Sequence, residues 1–198
     1  MIFQRLKAGL EVPDNEFDII YSERIKNVSE FHFTPVEVAI TAARFLVEKV
    51  ETKVLDVGAG AGKFCMIGAS CTNGNFTGVE QRENLHAIAE QLSTRYRLSN
   101  LTFIHSNITE IGFKAFDAIY FFNAFHENIV QSDPIDNSVQ LDRPLYDTYS
   151  RYMKMQLDAM PVGTRLATYF SYLDEVPDSY KILSSDFEGK LKMWVKAG

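Results

Sequence analysis

Apolar residues recur every three to four positions through "FTPVEVAITAARFLVEKV": Val36, Ala39, Ile40, Ala43, Leu46, Val47 and Val50. That spacing predicts a helix with one buried stripe. Its start is marked in the same stretch, with Thr34 able to cap, Pro35 at the first helical position and Glu37 completing a capping box. Upstream, "NEFDIIYSERI" predicts a shorter helix. From Lys53 the chain alternates between short β-rich runs and helical stretches, which predicts crossover units around a mainly parallel sheet. "KVLDV", "NFTGVE", "LTFIH" and "FDAIYFFN" read as strands, the last so apolar that it belongs in the middle of the sheet, covered on both faces. Between them, "KFCMIGASC" opens a helix and "RENLHAIAEQLSTRYRL" forms another, with Leu85, Ile88, Ala89, Leu92 and Tyr96 on one face.

The alternation then breaks. "NIVQSDPIDNSVQLDRP" is a polar loop of a length that compact domains use for functional lids. A helix from about Pro144 to Met160 follows, its start marked by Asp142 and Pro144. "TRLATYFSYL", "YKILSSDFE" and "KLKMWVKA" are strand-like, and the turn near Gly189 makes the last two an antiparallel hairpin. The pattern as a whole predicts an α/β fold with a mainly parallel sheet of about seven strands that closes with that hairpin. At 198 residues the chain fits one domain, with residues 1–50 as an N-terminal helical cap on a core of residues 51–198.

Composition narrows the partners. An apolar content of 46% with 23% charged residues is that of an ordinary globular chain. The net charge of −6 argues against a nucleic-acid partner, which lysines and arginines would hold. No signal peptide is visible at the N-terminus and no apolar run reaches the ~18 residues of a membrane span, so the expectation is a cytoplasmic protein with no membrane partner. Cys65 and Cys71 match no zinc pattern and read as reduced core thiols, and no metal site is expected.

The candidate chemistry sits in "VLDVGAGAGKF", a strand that runs into Gly58, Gly60 and Gly62. A phosphate-binding P-loop needs four residues between its glycines and a hydroxyl after the lysine; here there are three, and Phe64 follows Lys63. A dinucleotide fold needs a third glycine where this chain has Lys63, which leaves NAD binding as a lesser alternative. S-adenosylmethionine suits the turn better. Gly58 and Gly60 allow close backbone approach, and Asp56 can face an ammonium group or order water. Glu80, 22 positions after Gly58, can accept both ribose hydroxyls, Asn107 can bond adenine and Ile108 can pack on its ring. Three consecutive strand ends thus offer suitable groups at the edge where open α/β sheets bind ligands.

"VLDVGAGAGKF", "GVEQRENL", "FIHSNITEI" and "FDAIYFFNAF", in that order, resemble the four core motifs of class I S-adenosylmethionine-dependent methyltransferases. The resemblance covers the chain from about Thr34 onward and implies a three-layer Rossmann-like methyltransferase fold. It also implies donor contacts from Asp56, Gly58, Ala59 and Gly60 to the methionine portion, from Glu80 and Gln81 around the ribose, and from Asn107 and Ile108 to the adenine. Asn107 stands where an acid is more usual. "GVE" followed by "FFNAF" is partly similar to the non-SET histone-lysine methyltransferases, although those have a second asparagine where this chain has Ala124. Nitrogen methylation of a protein lysine or a small amine is therefore the expected reaction.

For such a transfer, Asn123 is the candidate that orients the acceptor and also contacts the donor, its amide oxygen facing the transferred methyl, and strand-terminal turn chemistry is its competing explanation. His126 is a candidate proton acceptor, and with Glu127 it competes against a simple solvated loop start. Phe31, His32 and Phe33 can form a flap over the donor, with Phe33 and Phe125 lining an acceptor channel; core packing explains these aromatics equally well. Thr34 is a candidate for the donor carboxylate beside its capping role. The acceptor is expected to be a protein or a small molecule. A protein that binds the donor or another nucleoside without transferring anything shares most of these features.

Overall fold

The computed structural model describes residues 2–130 and 134–198. Four helices come first: α1 (Ile2–Lys7), α2 (Asp14–Phe17), α3 (Glu23–His32) and α4 (Val36–Leu46). The core then alternates β1 (Lys53–Val57), α5 (Lys63–Cys71), β2 (Asn75–Glu80), α6 (Glu83–Tyr96), β3 (Leu101–His105) and β4 (Ala118–Phe122). It closes with α7 (Arg143–Asp158), β5 (Arg165–Tyr169), β6 (Tyr180–Asp186) and β7 (Leu191–Lys196). The seven strands form one sheet in the order β3-β2-β1-β4-β5-β7-β6. β3 through β5 are parallel neighbours, whereas β7 runs antiparallel to both β5 and β6. The expected parallel sheet and terminal hairpin are both present.

Side-chain alternation divides the core into two layers. On β1, Val54 packs with α4 and α5, while Leu55 and Val57 point into the layer that α7 covers. β4 repeats this with Ala118 and Tyr120 on one face and Ile119 and Phe121 on the other, the two-sided burial that its apolar run predicts. At seven per cent exposure or less, Tyr146, Tyr149, Met153 and Leu157 form the buried stripe of α7. Asp142 caps that helix, accepting the Leu145 N–H at 2.9 Å.

The N-terminal region departs from expectation. Thr34 does not cap α4: its hydroxyl is bonded to the buried Tyr120 hydroxyl at 2.8 Å, and the Val36 N–H donates instead to Asp14 Oδ1 at 3.0 Å. A buried phenol needs a partner, and that need overrides the local capping box. α4 also stops at Leu46, so that Val50 lies outside the stripe and is exposed. Thr52 Oγ1 donates to the Lys49 carbonyl there and turns the chain into β1. The helix expected over "NEFDIIYSERI" is divided between α2, a 3-10 turn over Asp18–Ile20 and the start of α3. In the long polar loop, Gln131, Ser132 and Asp133 lie outside the described residues. Among the described residues, no helix is long and apolar enough to cross a membrane, and no cluster of His, Cys, Asp and Glu is arranged to hold a metal.

Candidate functional site

The sheet order reverses direction between β1 and β4, and the crevice at such a switch point is where open α/β sheets place their ligands. Here the crevice opens into a cavity of about 400 Å³, lined by Gly58, Gly60, Glu80, Asn107 and Asn123 among others. A volume of that size falls within the ~300–1,000 Å³ range of small-molecule sites.

The glycine turn is shaped by its neighbours. Gly58 and Gly60 have φ of +77° and +56°, the left-handed region that glycine enters freely. A Cβ on Gly58 would lie 2.4 Å from the Ala124 Cβ, so the end of β1 and the loop after β4 touch at the switch point. A Cβ on Gly60 would lie 2.8 Å from the Phe33 ring. Phe33 is therefore a lid on the turn, and it is buried, packed edge-on to Tyr21.

Glu80 holds the turn from the side. Its Oε2 accepts the Gly60 N–H at 2.9 Å and its Oε1 accepts the Arg82 N–H at 2.8 Å. Burial pushes this carboxyl above the usual range, while the same two N–H groups pull it back. Each oxygen keeps a lone pair, because a carboxylate offers about four acceptor sites.

Asn107 is fully committed within the protein. Its Oδ1 accepts from the Thr109 N–H and hydroxyl, and its Nδ2 donates to Tyr149 Oη at 2.9 Å and Gln81 Oε1 at 3.2 Å. With two donors and two acceptors in use, the amide has no capacity left for a ring edge. It ties β3, Gln81 and α7 together, and Gln81 and Ile108 remain beside it on the cavity wall.

Thr34, Asp56 and Ala59 are not on this wall. They line a smaller crevice of about 30 Å³ that shares Phe33, Gly58 and Phe122 with the main cavity. Asp56 is buried, and Cys65 Sγ donates to its Oδ2 at 3.3 Å. Burial raises its carboxyl to about 7, with the Cys65 bond opposing and the Glu80 charge adding to the rise. Asp56 is thus tied to α5 through Cys65, off the main cavity wall.

At the end of β4, Asn123 has φ of +39°, and its carbonyl accepts the His126 N–H at 2.9 Å. It is both the strand-terminal turn residue and part of the cavity wall. His126 Nδ1 lies 3.1 Å from Tyr172 Oη, also on the wall. Glu127 is not the solvated residue that its loop position suggested. It is buried, accepts from Arg82 Nη2 at 2.9 Å and receives the Ile135 N–H at 2.7 Å. Phe125 belongs to the α7 layer, tilted against Phe121 and Tyr149, and reaches the cavity from that side.

Two basic residues were not read from the sequence as parts of the site. Arg82 donates its backbone N–H to Glu80 and pairs through its side chain with Glu127 and Asp136, joining the end of β2 to the loop before α7. Lys63, the residue beyond the glycines, is buried with its Nζ 2.7 Å from Asp14, 2.8 Å from Asp18 and 3.1 Å from Ser29 Oγ. It fastens the first helices to the glycine turn, where Tyr21 Oη also donates to the Ala61 carbonyl at 3.3 Å.

Residues 48–190 match the sequence profile of a family described as a methyltransferase domain. No curated protein sequence matches the chain. Among solved structures, magnesium protoporphyrin IX methyltransferase from Synechocystis PCC 6803, with bound S-adenosylmethionine, superposes with a TM-score of 0.61 at 13% identity, over 91% of this chain and 89% of that one. An RNA methyltransferase from Salinibacter ruber in complex with S-adenosylhomocysteine gives 0.56 at 16% identity, over 83% and 93%. TrmN from Thermus thermophilus gives 0.59 at 16% identity, over 88% of this chain and 52% of that one. The chain thus spans about half the length of TrmN, and the same holds for others of these structures. At such identities the superpositions speak for the fold, whereas the profile match covers more than half of the sequence: the chain belongs to the methyltransferase-domain family and has the fold of the class I S-adenosylmethionine-dependent enzymes.

Proposed function

We propose that the cavity binds S-adenosylmethionine and that the chain transfers its methyl group to a nitrogen acceptor held beside Asn123. The observation that carries this reading is convergence: the glycine turn after β1, Glu80 after β2, Ile108 after β3 and Asn123 after β4 line one cavity. The residues fit the donor. Glu80 has spare lone pairs for a ribose diol, the turn exposes backbone at Gly58 and Gly60, and the volume suits a nucleoside with an amino-acid tail. Asn107 acts by holding Gln81 and Tyr149 in place, and its own amide leaves the adenine edge to its neighbours.

The bound donor supplies an electrophilic methyl: the acceptor nitrogen's lone pair forms the new N–C bond as the C–S bond breaks, its electrons stay on sulfur and the surplus proton leaves the nitrogen. The protein's part is to position the acceptor in line and to exclude water. Asn123 offers an amide oxygen to orient an N–H of the acceptor. His126 offers the proton a destination: in the tautomer whose Nδ1–H donates to Tyr172 Oη, Nε2 is left as an acceptor.

One feature of the wall supports a small-molecule or protein acceptor over RNA. The charged groups on the cavity wall are mutually committed: Arg82 to Glu127, and Glu80 to two backbone N–H groups. Arg82, the one lysine or arginine lining the cavity among the described residues, is therefore not free for a phosphate. A dinucleotide is disfavoured on similar grounds, because Lys63 is buried among Asp14, Asp18 and Ser29. We further read residues 1–50 as a cap that belongs to the same folding unit as the core, and the protein as cytoplasmic.

Calorimetric titration with S-adenosylmethionine, S-adenosylhomocysteine and NAD tests the donor assignment. Micromolar binding of an adenosyl ligand with none of NAD is the expected result; binding of NAD alone, or of nothing, overturns it.

A further inference from the structure

Large apolar side chains usually leave the surface of a folded chain, yet three aromatics stand in the open at the mouth of this cavity. Phe31 is 70% exposed, Phe170 47% and Tyr172 51%. They come from the end of α3 and from the loop after β5, and all three line the cavity. Behind them the aromatic surface continues inward: Phe122 lies 4.8 Å from Tyr169 and 6.2 Å from Phe170, centroid to centroid.

The loop that presents two of them is held in a costly conformation. Phe170 and Leu173 have φ of +50° and +72°. Bulky side chains enter the left-handed region at a cost of roughly 1–2 kcal/mol each, and such outliers gather at ligand sites. The conformation is pinned on both sides, by Phe170 N–H donation to the Lys190 carbonyl at 3.0 Å and by Leu173 N–H donation to Ser171 Oγ at 2.9 Å. The fold thus stabilises a strained turn that leaves apolar rings in solvent. Leu173 packs against the core layer that α7 covers, but Phe170 and Tyr172 remain about half exposed at the mouth.

We infer that the outer part of the cavity is an acceptor subsite for a planar, uncharged aromatic or heteroaromatic amine, stacked among Phe31, Phe170 and Tyr172 with its nitrogen directed toward Asn123. Offset or edge-on contact with several rings rewards a flat π-system over an aliphatic body of equal size. The wall around Asn123 adds His126, with its ring 5.8 Å from that of Tyr172, while the two carboxylates of the cavity lining are engaged, Glu127 by Arg82 and Glu80 by two backbone N–H groups. Within the proposed nitrogen transfer, on which this inference rests, the neutral amine of an aromatic ring arrives already deprotonated near neutral pH. That suits a site in which His126 need only receive the proton released after transfer.

The test uses the full chain saturated with S-adenosylhomocysteine, so that the adenine pocket is filled, and fluorescence titration with 1-aminonaphthalene. Saturable binding is expected, with cyclohexylamine at least about tenfold weaker in competition and the Phe170→Ala and Tyr172→Ala variants each about fivefold to tenfold weaker for the probe. S-adenosylhomocysteine affinity should stay within about twofold in both variants, since neither ring is assigned to the donor. Equal competition by cyclohexylamine, or unchanged probe binding in both variants, overturns the aromatic subsite. Should S-adenosylhomocysteine itself fail to bind, the donor assignment falls separately, and the same comparison of probe and variants on the free protein still decides the subsite.

Discussion

The Gly60 N–H donates to Glu80 Oε2 at 2.9 Å, and this bond joins the glycine turn after β1 to the end of β2. The same carboxylate receives the Arg82 N–H, so one side chain sets the position of two loops around the cavity. Replacing Glu80 with Ala removes a hydrogen-bonded charge worth about 1.5–3 kcal/mol to whatever it holds. S-adenosylhomocysteine should bind roughly tenfold to a hundredfold more weakly by calorimetry. Because burial holds this carboxyl above the ordinary range, wild-type affinity should begin to fall on acidification earlier than an exposed glutamate would allow. Glu80→Gln should lose that pH dependence. Unchanged affinity in Glu80→Ala would remove Glu80 from the donor site.

Lys63 gives a prediction about the N-terminal helices. Its ammonium is 3% exposed and paired with Asp14 and Asp18, while Phe17 lies beneath it at 5.6 Å. Removing one partner of a buried ion pair strands the other, at a cost of about 3–5 kcal/mol. Lys63→Met should therefore lower the unfolding free energy in urea by about that amount, and adding Asp18→Asn should recover part of it. A single variant as stable as wild type would show that the ion pair does not hold the cap.

Lys63 also shows where reading the sequence stops. The glycines, the strand ends and the terminal hairpin were legible because they rest on local rules: turn chemistry, period and strand length. The roles of Lys63, Arg82 and Thr34 were not, since each depends on a distant partner. Lys63 meets Asp14 across 49 positions, and the Thr34 and Tyr120 hydroxyls share a hydrogen bond across 86. Asn107 was legible as a strand-end residue, but its commitment to Tyr149 needed the packing of α7. The exposed aromatics at Phe170 and Tyr172 looked like the tail of a strand, and only the left-handed turn after Tyr169 set them at the mouth.

Asp56 predicts a pH effect on stability. Its carboxyl is held at about 7 in the folded chain, against an ordinary 3.8. The folded state thus binds the proton more tightly, and the stabilisation this gives is complete below pH ~4 and lost as pH rises to about 7. Its upper bound is about 4 kcal/mol. Comparing wild type with Asp56→Asn in urea from pH 4 to 8, the variant should gain on wild type across that window and run parallel above it. The Cys65 thiol can still donate to the new amide oxygen, so packing is retained. Parallel curves throughout would mean that Asp56 titrates normally.

Asn123 separates an enzyme from a binder, provided that the backbone is handled with the side chain. At φ of +39° its position tolerates Asn and Gly, while Ala pays a conformational cost of about 1 kcal/mol. Asn123→Gly therefore removes the amide and keeps the turn, whereas Asn123→Ala changes both. Each variant should bind S-adenosylhomocysteine within about threefold of wild type, because the donor is held by the glycine turn and Glu80. Turnover, followed as S-adenosylhomocysteine formed in the presence of an accepted amine, should fall at least about a hundredfold in both, by analogy with the loss of one preorganised polar group. Only Asn123→Ala should also lower the melting temperature. Full turnover in Asn123→Gly would show that the residue serves the strand end alone, and the orienting group would then have to be sought at His126 and Tyr172.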